Sequence, residues 1–524
     1  MDRTKKNLAE ILAASRFYFS KSKLINAEAP PQKKHTEINR PIVIIGSGYG
    51  AAVAALRLCE AGKKVLMLEM GINWKESGIP YSGLLKPGRS AAWLKRKTIA
   101  PFMNIFPLKP FTGALDKFNF KNINVWVGRG VGGGSIVNGG MAVIPKENYF
   151  KEIFPHLDAE KFYNFYFPLA SKELKVNGID EQFVKDCPYY KFTRVGEAEA
   201  HKAGFKTVRV PNVYDFEYMK REYKNEVPRS ALNTEVIYGN NHGKNSLDNT
   251  YLKKALATGN LEILDLHCVD TITSNDDKTY SLKITQIDTS GKTVADKIVH
   301  CQKLILGAGT MGTLKLLLSS QATNFPLDST VGKNWGNNGN FMTGRNWVRP
   351  LSGGTGALQS TIPVGGVDNW DDSEHPFFTE IAPLPMGFDV ATALYLLINR
   401  VDKKGSVTYD KANNRLELDW DETHVVKMKA NANYFVRKMN RANGGTRSHL
   451  LFKNGFGANI CYHPLGGCVL GESTNLYGKL KQHDNLYVID GSLIPGTIGV
   501  NPFMTITAIA EYCIENLIGQ GEFG

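Results

Sequence analysis

No stretch of the 524 residues contains the roughly 18 consecutive apolar positions that a membrane-spanning helix needs. No CxxC spacing occurs either. The seven cysteines (Cys59, Cys187, Cys268, Cys301, Cys461, Cys468 and Cys513) are scattered and odd in number, which argues against a disulfide framework and against a zinc site. Cys461 and Cys468 bracket His463, but leucine and glycine fill the interval, so no metal is expected. Internal repeats, low-complexity segments and charged tails are missing, and no nucleic-acid motif is present, so no nucleic-acid partner is expected. Residues 1–40 are mostly polar, and the patch Ile11-Leu-Ala-Ala14 after Lys5-Lys6 is too short for the core of a secretion signal. Two readings stay open: the protein remains inside, or a leader has been removed. What the chain does have is positive charge. Lys and Arg number 63 against 50 Asp and Glu, a net +13. Without a nucleic-acid motif, this excess suits either a plain basic surface or contact with anionic lipid.

The length allows two or three domains with a large core. Residues 28–40 carry Pro30, Pro31 and Lys33-Lys34 and read as a linker, which makes residues 1–39 an N-terminal arm. Pro41-Ile-Val-Ile-Ile45 then reads as a buried parallel strand. A helix follows with Val53, Leu56 and Leu58 among alanines. Gly62 ends it, and Val65-Leu-Met-Leu68 is the next strand, completing one βαβ unit. A second strand–glycine–helix unit runs through Lys303-Leu-Ile-Leu306, Gly307-Ala-Gly309 and Leu314 to Leu318. A third runs through Asn485-Leu-Tyr-Val-Ile489, Asp490-Gly491 and a helix from Met504 to Leu517. Between the first two, residues 279–287 alternate apolar and polar positions after an Asn275-Asp-Asp277 turn, as a hairpin strand does. The expected fold is therefore α/β, with a discontinuous Rossmann-like domain built from residues 40–75, 245–335 and 478–524. Residues 76–244 and 336–477 are left to form a second domain.

Gly46-Ser-Gly-Tyr-Gly-Ala51 follows the first strand directly and opens the helix. Gly46 permits the tight turn, Gly48 lets backbone approach a pyrophosphate, and Ala51 is small enough for the helix to pack on the sheet. The helix N-terminus directs free N–H groups at the phosphates. Glu69 ends the second strand, 23 residues after Gly46, where a carboxylate accepts from the ribose hydroxyls of an adenosine and disfavours a 2′-phosphate. A second glycine-rich run, Gly128-Arg-Gly-Val-Gly-Gly-Gly-Ser-Ile-Val-Asn-Gly-Gly140, lies between apolar flanks (Trp126, Val127, Met141, Val143). Those flanks favour a packed loop against a flat ligand over a flexible one.

The two glycine runs together resemble the flavin-binding pattern of the glucose–methanol–choline oxidoreductase family. Several stretches are similar to the bacterial cholesterol oxidases of that family, which hold FAD non-covalently. They are Asn138-Gly-Gly-Met-Ala142, Val210-Pro-Asn-Val-Tyr-Asp-Phe216, Glu235-Val-Ile-Tyr-Gly-Asn-Asn-His-Gly243, Tyr462-His-Pro-Leu-Gly-Gly-Cys468, Asp490-Gly-Ser-Leu-Ile-Pro495 and Gly499-Val-Asn-Pro-Phe503. The resemblance implies flavin contacts at Tyr49, Gly50, Glu69, Gly134, Asn138, Gly139 and Met141. It also implies that Val269 lies beside the adenine, and that Gly491 and Phe503 hold the pyrophosphate and isoalloxazine ends. The second domain is then a substrate domain with a mainly antiparallel sheet and helices, lending residues 128–142 to the flavin. The implied partners are a sterol, molecular oxygen and, peripherally, a membrane surface. The implied protein is a monomer, secreted or surface-associated, although no clear signal peptide is present.

Oxidising an alcohol with a flavin needs a hydride acceptor, a base for the hydroxyl proton and donors that hold the oxygen. His463 suits the proton-handling and oxygen-binding task, and a structural histidine in a Pro-Gly turn is the alternative. Asn501 caps the last helix, offers its amide to a hydroxyl or the flavin edge, or does both. Glu380, in Pro376-Phe-Phe-Thr-Glu-Ile-Ala-Pro-Leu-Pro385, is either an edge-strand surface group or a buried acid of raised pKa. By resemblance, Glu380 shuttles the C4 proton to C6, turning cholest-5-en-3-one into cholest-4-en-3-one, while His463 and Asn501 surround the 3-hydroxyl and oxygen is reduced to hydrogen peroxide. Phe378 resembles an aromatic gate near the flavin. Ile460 departs from the pattern, since an aromatic residue is expected three positions before the histidine. Residues 84–111 interleave Trp93-Leu-Lys-Arg-Lys97 with Pro101-Phe-Met-Asn-Ile-Phe-Pro107, which suits a lipid interface or a lid packed on its own protein. Two other classes of activity remain: a family member acting on another alcohol or electron acceptor, and a flavin- or lipid-binding scaffold without turnover.

Overall fold

The computed structural model describes residues 36–75, 92–95, 109–233, 235–237, 242–321, 325–346, 361–383, 392–447 and 460–524. Residues 1–35 of the N-terminal arm and the core of the basic, aromatic stretch (residues 96–108) lie outside these, while residues 36–39 of the arm belong to the first strand. Among the described residues no helix is long and apolar enough to cross a membrane.

The first sheet grows from the βαβ unit. Thr36–Ile45 pairs in parallel with Val65–Leu68, which pairs in parallel with Leu261–Leu264. On the other side of Thr36–Ile45 lies Thr293–Leu306, followed by the antiparallel strands Tyr280–Ile287 and His267–Ser274. Leu486–Val488 adds in parallel to Thr293–Leu306. The first strand begins at Thr36, before its apolar run, and the strand read as Lys303 to Leu306 is fourteen residues long. Both extensions alternate or carry polar residues, so apolar continuity reported only their fully buried ends. Helix Tyr49–Glu60 is buried along almost its whole length because helix Phe503–Gly519 packs across it.

The second large sheet is antiparallel throughout, in the order Thr446–Arg447, Asn340–Asn346, Thr392–Asn399, Phe377–Ala382, Gly365–Asp368 and Thr207–Arg209. Helices Lys191–Lys202 and Val426–Asn443 pack on it and on each other. Strand alternation divides the side chains between two faces. Ile381 lies against Gly196 of helix Lys191–Lys202, whereas Glu380 and Ala382 point the other way, into a cavity. The α/β architecture, with a mixed nucleotide-type sheet and a separate antiparallel sheet, is the expected one. A small third sheet, in which Ile460–Cys461 pairs in parallel with Asn124–Gly128, ties the histidine loop to the strand before the glycine run.

Candidate active site

Both sheets contribute to the wall of one cavity of about 1000 Å3. Every residue expected to touch the cofactor lines it: Gly46, Gly48, Tyr49, Gly50, Glu69, Gly134, Asn138, Gly139, Met141, Val269, Gly491 and Phe503. Glu380, His463 and Asn501 line it as well, as does Ile460. Phe378 does not. It shares the Glu380 face of its strand but is buried beside the cavity, packed with Met141, Val210 and Val500, its ring lying over Gly366. Trp93 of the basic, aromatic stretch is also buried, with the Arg129 guanidinium 5.9 Å from its ring, so at this position the stretch packs on its own protein.

The nucleotide end is built by close backbone approach. A Cβ on Gly50 would sit 2.0 Å from the carbonyl oxygen of Ile489, so the strand end from residue 489 can cross the first helix only over glycine. The helix start at Gly48 has no side-chain cap, and neither does the start of helix Phe503–Gly519. Two sets of free N–H groups therefore face the same space, where they favour anionic or electron-rich atoms. Glu69 accepts from Ser47 Oγ (2.6 Å), the Gly71 N–H (2.9 Å) and the Gly130 N–H (3.3 Å). Burial raises its pKa, and these donors together with the nearby Arg129 charge oppose that rise.

The other part of the wall is apolar apart from a few groups. Met342, Ala382, Leu394 and Leu396 form a floor on the antiparallel sheet. Set into it, Glu380 accepts a 2.6 Å hydrogen bond from Asn501 Nδ2. Burial pushes the Glu380 carboxyl up to about 7, against the opposing effect of that bond. The surface-group reading of Glu380 thus gives way to the buried acid. The capping reading of Asn501 fails too: Pro502 precedes the last helix without a side-chain cap, and the Asn501 amide reaches across to Glu380. Asn501 Oδ1 is buried with no partner, as is Asn138 Oδ1. His463 bonds through Nδ1 to Asn340 Nδ2 at 3.0 Å, and burial pushes its pKa down to about 3. It is therefore a neutral imidazole over the working pH range.

The GMC oxidoreductase model matches residues 43–337 of this chain, and two further models, GMC oxidoreductase C-terminal and GMC oxidoreductase, match residues 338–453 and 402–510. The chain belongs to the GMC oxidoreductase family. A cholesterol oxidase of Acinetobacter baumannii is 24% identical over 90% of this chain and 92% of its own length. A long-chain-alcohol oxidase of Arabidopsis thaliana is 24% identical over 91% of this chain and 67% of its own. Among solved structures, a fungal aryl-alcohol oxidase superposes with a TM-score of 0.66 at 14% identity, covering 92% of this chain and 99% of that one. A pyridoxine 4-oxidase gives 0.63 with the same coverages, also at 14% identity. At such identities the structures speak for the fold alone.

This GMC oxidoreductase binds FAD and is an oxidoreductase of the flavin-dependent, alcohol-oxidising type. Its cavity fits the cofactor on its own evidence. The side of Gly134 that would carry a Cβ is open, and the nearest atom to one on Gly48 is 3.9 Å away, so backbone is exposed where a pyrophosphate or flat ring must come close. The two orphaned amide oxygens are each a cost of about 1–3 kcal/mol that a bound donor removes. Tyr49 stacks on Phe503 with ring centroids 5.0 Å apart, and its hydroxyl accepts from Asn138 Nδ2 at 2.7 Å, which steadies the glycine loop.

Three positions around this site escaped sequence reasoning. Arg129, inside the glycine run, stands beside Glu69 and is held by Asp116. Lys244 is a buried amine whose Nζ donates to the Asn138 carbonyl, and burial lowers it to about 7. Asn340 holds His463. None belongs to a periodic pattern. A lysine or asparagine becomes informative only when its burial is known.

Proposed function

We propose that this protein oxidises the 3β-hydroxyl of a sterol to the ketone, with oxygen reduced to hydrogen peroxide, and then moves the Δ5 double bond to Δ4. FAD, held without a covalent link, supplies the hydride acceptor. The observation that carries the reading is the placement of Glu380: a carboxylate raised to about 7, set in an apolar floor and bonded to the Asn501 amide, in a cavity that His463 also lines. His463 and Asn501 hold the substrate oxygen. His463 is a weak proton acceptor at a pKa of about 3, so Glu380 is the group fitted to take the hydroxyl proton. Once that proton has passed on to the hydrogen peroxide formed from oxygen, the same carboxylate takes the C4 proton of the unconjugated ketone and returns it at C6, so the isomerisation leaves its own protonation unchanged. Poor solvation in the apolar wall makes the carboxylate a stronger base than it is in water.

The extended floor of Met342, Ala382, Leu394 and Leu396 supports a wide apolar substrate. Similarity to a long-chain-alcohol oxidase favours a second reading, in which an alkyl chain lies there and Glu380 has no double bond to move. Anaerobic addition of cholesterol to the purified holoenzyme separates the two. Bleaching of the oxidised flavin band near about 450 nm is expected, followed by appearance of the conjugated enone. Bleaching by aliphatic alcohols but not by sterols sinks the sterol assignment.

A further inference from the structure

We propose that Asn340 is a positioning residue that locks His463 in the tautomer bearing its proton on Nε2, so that the imidazole meets the substrate oxygen as a hydrogen-bond donor. The inference rests on the alcohol-oxidising reading of the site. It begins with the orientation of one amide. Asn340 Oδ1 accepts from two backbone N–H groups, those of Tyr462 (3.3 Å) and His463 (3.1 Å). Turning the amide over would aim its NH2 at both donors, so the oxygen has only one place to be. The NH2 is thereby presented to His463 Nδ1, 3.0 Å away. A donor on that side requires Nδ1 to be the lone-pair nitrogen, and in a neutral imidazole the proton then sits on Nε2.

Asn340 has no freedom to adjust. It is fully buried at the start of the strand Asn340–Asn346, where it closes the turn that begins at Asn337. Asn337 Oδ1 accepts from the Gly339 N–H and its Nδ2 donates to the Asn340 carbonyl. Asn399 Nδ2 donates to the Gly339 carbonyl at 2.8 Å. Asn338 reaches the other way, accepting from the Ile498 N–H and donating to the Val500 carbonyl, both at 2.8 Å, next to Asn501. One buried asparagine turn thus holds the loops that carry His463 and Asn501, but only Asn340 touches the imidazole.

The decisive variant is Asn340→Asp in the FAD-loaded enzyme. A carboxylate still accepts from both backbone N–H groups, but it reverses the polarity of the bond to Nδ1. The control is Asn338→Asp, which puts the same charge into the same turn without contacting the ring. Histidine-selective 15N NMR, with His463 assigned by its loss in His463→Gln, reads the tautomer without any substrate. The native protein and Asn338→Asp are expected to show a bare Nδ1 and a protonated Nε2, and Asn340→Asp a protonated Nδ1. The flavin reduction rate of Asn340→Asp is expected to fall about 100-fold, with KM changed far less, as for loss of an oriented hydrogen-bond donor to the reacting oxygen. A protonated Nδ1 in the native holoenzyme overturns the proposal, and so does a native reduction rate in Asn340→Asp. Should Asn340→Asp not retain FAD, the native NMR alone decides. If sterols fail as substrates but another alcohol bleaches the flavin, the rates are compared on that alcohol, so the tautomer assignment stands or falls apart from the sterol one.

Discussion

Glu69 and Glu380 are both buried glutamates, each 5% exposed, in the wall of the same cavity. Glu69 has three hydrogen-bond donors and a neighbouring arginine, whereas Glu380 has one amide donor and apolar surroundings. A carboxylate gripped from several sides is suited to holding a ligand, because its charge is spoken for and its position is set. One left with a single partner keeps a lone pair of raised basicity and can exchange protons. The contrast comes from second partners, not from depth of burial.

The largest effect should follow from removing that basicity. Glu380→Gln is expected to abolish double-bond transfer, so that the unconjugated ketone accumulates, and to slow flavin reduction by about 100-fold. The ratio of conjugated to unconjugated product, followed by ultraviolet absorbance, checks it. An unchanged ratio would break the contrast. Glu69→Gln should weaken FAD binding about tenfold, the loss of one to two hydrogen bonds' worth of free energy. Titration of the apoprotein with FAD measures this, and the product ratio of the reloaded enzyme should match that of the native protein. Asn501→Leu, which also takes a donor away from the substrate oxygen, should give the most specific change. The Asn501 amide lowers the Glu380 pKa, so its removal should move the acidic limb of the isomerisation profile from about 7 to higher pH. The folding signature has the same origin. A carboxyl raised from 4.5 to about 7 on folding makes the native state lose stability as pH climbs between those values, and a Glu380→Gln chain should lack that loss.

The nucleotide half was largely legible because its logic is local. Strand, glycines, helix and Glu69 lie within one short segment, and each constrains its neighbours by period or by turn geometry. The antiparallel half was less so. Glu380 and Asn501 are 121 residues apart, and nothing in either segment announces their hydrogen bond. Asn501 before Pro502 looks like a helix cap, and only the long-range bond shows that its amide is used elsewhere. Phe378 shares a strand face with Glu380 yet is buried beside the cavity in one cluster with Met141 and Val500, a placement that no local pattern reports.

The contact of Gly50 with the Ile489 carbonyl reaches beyond packing. One wall of the glycine turn is synthesised more than four hundred residues after the turn itself. Across those residues a nascent chain carries the glycine fingerprint without the complete pocket. A chain held on the ribosome before residue 489 is expected to bind FAD more weakly than the released protein.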